Sequence, residues 1–207
     1  MTHSLHRSGD MESLRGDYVW LMYQAKGIND TNIKEKAEEF IAVAEAVGSE
    51  NWGDVKSGPK VILTVEEIKK RVTNQSRLRG VFTRKEQLVE FLRKIKEKNL
   101  GLSVIISGLL KETIEACKEA GLKPHTINFS LGVWGKKELL PKEDILAITT
   151  MCGHHMISPR LVEKIADQVK KGKLSPEEGG RLLALFCPCG IFNQVRAAKL
   201  LAGKITS

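Results

Sequence analysis

From residue 17 to residue 134, short runs of β-branched and aromatic residues alternate with helical stretches, and beyond residue 138 only helical stretches follow. No other feature restricts the fold as strongly. Strands separated by helix-length connections call for crossovers, and crossovers favour parallel pairing. The strand runs are DYVWLMYQ (17–24), KVIL (60–63), LRGVF (78–82), LSVIIS (102–107) and HTINFSLGVW (125–134), of which 60–63 is the shortest. The expectation is therefore an α/β fold with a mostly parallel sheet of about five strands. That α/β domain covers residues 1–137, with residues 1–15 flexible and with 49–60, SENWGDVKSGPK, as a polar Gly-rich loop. A C-terminal helical domain of four helices covers 138–207.

Helix starts are marked by capping chemistry. Thr64 with Glu67, Thr83 with Glu86 and Ser175 with Glu178 have capping-box spacing. Ser158-Pro159 and Asn193 are further N-terminal signals, and Gly48, Gly121, Gly172 and Gly203 stop the helices they follow.

Charge and composition exclude several function classes. No apolar run approaches the roughly 18 residues of a membrane helix. The first fifteen residues carry His3, His6, Arg7, Asp10, Glu12 and Arg15 without an apolar block, which argues against a secretory leader. A soluble, cytoplasmic protein with reduced cysteines is expected. The net charge of +8 invites nucleic-acid binding, but most lysines sit beside glutamates in KEKAEEF, RKEQLVEFLRKIKEK and KETIEACKEA. Such segments are solvated helix faces, so nucleic acid is not an expected partner.

The chemistry concentrates in the C-terminal helices. The first ends at Cys152, and the turn Cys152-Gly153-His154-His155 leads into the second. The second runs away for about 14 residues and the third returns over about 12, roughly 20 and 18 Å. The third ends at Cys187-Pro188-Cys189-Gly190, near the level where the second began. Short loops make such helices antiparallel neighbours. The CGHH and CPCG turns are thus expected to meet and to form a metal site of Cys152, His154, His155, Cys187 and Cys189. Three cysteines and one histidine are the simplest ligand set, leaving the other histidine to support it or to meet a substrate. Thiolates and imidazoles suit zinc or an iron–sulfur cluster. The one-residue spacers, unusual for structural zinc, tip the choice toward iron–sulfur. Cys117, inside a helix, reads as a small buried hydrophobe.

Strand ends supply a second candidate site. Ser107, Gly108, His125, Ser130, Gly132 and Trp134 lie where parallel sheets bind small molecules, and they are expected to share one pocket with the cysteines. Phosphate loops of the GxxxxGK[ST] or GxGxxG kind are absent, as is a DxHxxG corrinoid loop.

Three functions compete. The first is a metal or iron–sulfur protein acting on a small-molecule substrate or an electron-transfer partner. The second is a thiol enzyme with Cys152 or Cys189 as reactive thiol, although helix C-termini have the wrong dipole sign for lowering a thiol pKa. The third is a non-enzymatic binding module contacting partners through Trp52 or Trp134. The sequence assigns no catalytic residue and no oligomeric state.

Overall fold

Apolar residues on both faces of one short strand determine how the layers assemble. In a computed structural model, which describes residues 4–203, strand β1 (Tyr18–Tyr23) is buried along nearly its whole length. Side chains alternate across a strand, so Tyr18, Trp20 and Met22 enter one hydrophobic cluster while Val19 enters another. The sheet is the middle layer of a helix–sheet–helix sandwich.

The remaining strands are β2 (Asn51–Asp54), β3 (Gly58–Pro59), β4 (Arg79–Phe82) and β5 (Ser103–Ser107), in the order β3-β2-β4-β1-β5. Every ladder is antiparallel. This overturns the expected mostly parallel sheet, for a topological reason. β4 and β5 are joined by a helix and run in the same direction, as a crossover demands, but β1 lies between them and pairs with both. In the same way β4 lies between β1 and β2. Two interleaved crossovers place each parallel pair one strand apart, a split β-α-β arrangement.

Two strand assignments change with it. Residues 60–63 form a turn, and this second strand run is replaced by the β2–β3 hairpin inside the supposed 49–60 loop. Trp52, expected at the surface, is 0% exposed, and its Nε1 donates to Glu45 Oε1 at 2.6 Å. Residues 125–134 form no strand, although Ile127, Phe129, Leu131 and Val133 alternate as a strand would. Among the described residues, β5 has no partner on its outer edge, so strand patterning there goes unused.

The helices sort by face. After the short α1 (Met11–Leu14), helices α2 (Ile33–Val47), α3 (Val65–Arg71), α4 (Lys85–Lys98) and α5 (Leu110–Glu119) pack on the Trp20 face. Trp20, Phe40, Phe82 and Phe91 form its centre, with Trp20 and Phe91 centroids 5.0 Å apart. The capping box at Thr64–Glu67 forms. At the second expected box the N-cap is Arg84, one residue later than Thr83, and no side chain caps it.

Helices α6 (Glu143–Thr149), α7 (Pro159–Lys170), α8 (Pro176–Ala184) and α9 (Gln194–Gly203) cover the Val19 face. Ser158 and Ser175 cap α7 and α8, and Asn193 Oδ1 accepts from Arg196 N at the start of α9. The opening stretch, expected to be loose, is held from Ser4 onward. Ser4 Oγ and Ser107 Oγ are 2.7 Å apart, and Ser8 N donates to Thr150 Oγ1 at 2.9 Å. Among the described residues, no helix is long and apolar enough to cross a membrane.

Candidate metal site

The two cysteine turns are short exits from helices. Cys152 follows the last turn of α6, and its carbonyl accepts from His155 N at 3.1 Å, closing a tight turn. His155 takes a left-handed φ of 55° there. Cys187 N donates to Ala184 O at the end of α8, and Pro188 forbids continuation of the helix. Gly190, at φ 78°, then turns the chain into α9.

The CPCG turn lies flat on the sheet. A Cβ at Gly190 would stand 2.3 Å from Trp52 C and 2.6 Å from Gly53 N, so only glycine permits this approach. The same strand region holds the next residues, with Asn51 Nδ2 donating to Phe192 O at 3.5 Å.

Cys152, Cys187 and Cys189 are all fully buried, and no disulfide joins them. Cys187 Sγ and Cys189 Sγ are 3.9 Å apart, and Cys189 Sγ stands 3.5 Å from His154 Nδ1. The Cys152 thiol interacts with Cys187. His154 is half-buried, whereas His155 is exposed and turned out by its left-handed backbone. The structure thus brings together Cys152, His154, Cys187 and Cys189 and leaves out His155. Among the described residues, no three histidine, cysteine or carboxylate side chains are already arranged to hold a metal ion.

The three thiols interact in a row. The Cys187 hydrogen bond and burial raise the Cys152 pKa far above its usual value. The hydrogen bond with Cys152 pulls Cys187 down, but that with Cys189 and its burial outweigh it, leaving it at about 11. Cys189 has a lowered pKa through the Cys187 hydrogen bond, helped by a backbone hydrogen bond at Ile191 and by the nearby Arg79 charge.

A raised thiol pKa favours the fold fully below the unfolded value near 9, and that contribution disappears as pH rises through the folded value. The metal-free protein should therefore lose thermal stability between pH 9 and about 11. Melting curves across that range, compared with Cys187→Ser, test this; an equal decline in the variant contradicts it. Cys189 acts in the opposite sense. Its contribution is present above the unfolded value and is lost as pH falls through its lowered one.

The strand-end residues divide. Ser107, Gly108, His125 and Ser130 line a cavity of about 1240 Å³ that wraps the free edge of β5. Gly132 and Trp134 lie outside it, Trp134 being 80% exposed with Nε1 bonded to Leu131 O at 3.1 Å. Arg7 and Asp17 belong to the cavity wall, but Cys152, His154, Cys187 and Cys189 do not. The expected single pocket is therefore two neighbouring places. The cavity collects around an unpaired strand edge, while the thiols are sealed between α6, α8 and the sheet.

No family model, no curated protein and no solved structure matches this chain. Any functional reading rests on its own residues.

A buried ionic group escaped the sequence reading. Asp17 accepts from Arg7 Nη1 and, at 2.8 Å, from Arg196 Nη1. All three side chains are at most 6% exposed. The sequence signals were faint: an acid at the head of an apolar strand, and one arginine on the buried face of QVRAAKLLAG.

Proposed function

We propose that this is a cytoplasmic metal-binding protein whose ligands are Cys152, His154, Cys187 and Cys189. The observation that carries the reading is a pair of distances. With metal–sulfur bonds of about 2.3 Å and metal–nitrogen bonds of about 2.0–2.1 Å, a tetrahedral ion needs S···S near about 3.8 Å and S···N near about 3.5 Å. The 3.9 Å between Cys187 and Cys189 and the 3.5 Å between Cys189 and His154 match two edges of such a tetrahedron. Cys152, whose thiol interacts with Cys187, is the fourth ligand of the proposed set.

Both distances are edges around one ion, which favours a mononuclear centre of the zinc type over the iron–sulfur cluster suggested by the spacers. Three thiolates and an imidazole fill all four positions, as in structural sites. Such an ion would lock the α6–α7 and α8–α9 turns together upon the sheet. Deprotonation of Cys152 and Cys187 then accompanies binding, so affinity rises with pH.

Elemental analysis and an absorption spectrum on anaerobically purified protein test the reading, with a Cys187→Ser/Cys189→Ser variant alongside. One equivalent of zinc, absent from the variant, is expected. Iron with visible absorption that disappears in the variant would retain the ligands and assign a cluster with an electron-transfer role. Metal-free protein that also fails to take up added zinc or iron would overturn the proposal.

The thiol-enzyme alternative draws on one observation, the lowered pKa of Cys189. Its full burial opposes attack on any bulky substrate. Rapid alkylation of Cys189 at neutral pH, unchanged by a chelator, would favour that alternative.

A further inference from the structure

Met151 immediately precedes Cys152, and Ile191 follows Cys189 by two residues, so their carbonyls mark the backbones of the two cysteine turns. One guanidinium joins them. Arg7 Nη2 donates to Met151 O at 3.1 Å and also to Ile191 O, while Nη1 donates to Asp17. The Arg7 side chain is 6% exposed although it begins in the N-terminal stretch. Its position is fixed from behind by Asp17, which Arg196 and Asn193 also hold, at 2.8 and 3.1 Å.

We infer that Arg7 is a positioning residue for the Cys/His site, setting the separation of the CGHH and CPCG turns and hence that of Cys152 from Cys189. The inference rests on the metal-site reading for its consequence in metal affinity, but not for the geometry it assigns to the thiols. Helices α6 and α8 place the turns only as well as helix packing does, while ligand placement must be good to a few tenths of an ångström. A guanidinium is suited to the task. It is planar, always charged, and carries five donors in a fixed fork, so one group can hold a carboxylate and two carbonyls at set angles. A lysine ammonium keeps the charge beside Asp17 but offers no rigid fork.

Charge points the same way. Arg7 and Arg196 share one carboxylate, leaving an excess positive charge at the rear of the two turns. A divalent ion with three thiolates and a neutral imidazole carries one negative charge. The excess cation complements the filled site.

The test uses the full chain with cobalt(II) as probe and two readouts, in wild type, Arg7→Met, Arg7→Lys and Arg196→Lys. The first readout is cobalt affinity by chelator competition, with the thiolate-to-cobalt absorption band. The second needs no metal. In a Cys187→Ser background, it is the rate at which hydrogen peroxide, small enough to reach buried thiols, bridges Cys152 to Cys189 as a disulfide. Arg7→Lys, which retains the ion pair, guards against simple unfolding, and folding is verified by circular dichroism. Both Arg7 variants should bind cobalt 10- to 100-fold more weakly, as loss of an outer support does, with a weakened thiolate band and slower bridging. Arg196→Lys, which leaves the turn carbonyls bonded, should match wild type in both readouts. Wild type without a thiolate–cobalt band, but with bridging slowed only in the Arg7 variants, would remove the metal reading and retain the positioning role. Folded Arg7→Lys with wild-type bridging would overturn that role.

Discussion

Asp17→Ala should lower the stability of the fold by about 3–5 kcal/mol, the usual consequence of leaving a buried charge without its partner. Here one carboxylate serves two guanidiniums, and all three side chains are almost wholly removed from water. Burial lowers the Arg196 pKa, the Arg7 charge adds to that, and Asp17 is what opposes the shift. Arginine does not escape by losing its proton under ordinary conditions, so the variant must expose the group to water or deform around it. Asn193 Nδ2 loses its bond to Asp17 as well, but keeps Gly16 O at 2.7 Å. A urea titration reads the effect. With a slope of about 2–3 kcal/mol per molar for a chain of this size, the midpoint should fall by about 1–2 M. An unchanged midpoint would mean that the arginines find other partners, and that the network does not bind the layers together.

Gly190→Ala should cost about 3 kcal/mol or more, for two separable reasons. A left-handed φ of 78° strains any residue with a Cβ by about 1–2 kcal/mol. The added methyl would also stand 2.3 Å from Trp52 C and 2.6 Å from both Gly53 N and Trp52 O. These are backbone atoms of a central sheet region and cannot rotate aside. The turn must lift instead, costing overpacking energy of about 1–3 kcal/mol and carrying Cys189 away from its neighbours. Gly172→Ala separates the two causes, because Gly172 has a similar φ of 67° with nothing within 4 Å of its virtual Cβ. Gly172→Ala should show the backbone strain alone and keep metal affinity unchanged, while Gly190→Ala loses both stability and affinity. Equal losses in the two variants would show that the close approach to Trp52 is unimportant.

These two sites also mark where sequence reasoning reached its limit. Ser175 with Glu178 and Thr64 with Glu67 could be read as capping boxes because cap chemistry is local, needing only four residues and their own backbone. The helices around them were legible for the same reason. The approach of the CGHH turn to the CPCG turn was legible too, since helix rise and two tight turns between neighbouring helices leave little freedom. Asp17 could not be matched to Arg7 and Arg196 in this way. The two arginines lie at opposite ends of the chain, and no periodicity connects them.

The sheet illustrates the same division. Alternation of strands and helices correctly implied crossovers, and β4 and β5 do run in the same direction. Whether such strands are neighbours is decided by which third strand fits between them. That depends on the packing of Trp20 among Phe40, Phe82 and Phe91 and on the glycine that admits it. Gly80 lies opposite Trp20, and a Cβ there would stand 2.6 Å from Trp52 Cβ and 2.7 Å from the Trp20 ring. Residues 125–134 show the converse case, with sound strand patterning but no pairing to the outer edge of β5.

Local chemistry was enough for the main helices, for the caps at Thr64, Ser158 and Ser175 and for the gathering of thiols at one end of the C-terminal helices, because each follows from short-range geometry. Long-range packing set the antiparallel order, the exposure of His155, the separation of the strand-edge cavity from the thiols, and the hydrogen bonds of Arg7 to both cysteine turns. Those depend on pairings and close approaches between residues distant in the chain, where burial and shape select among arrangements that local chemistry leaves equal.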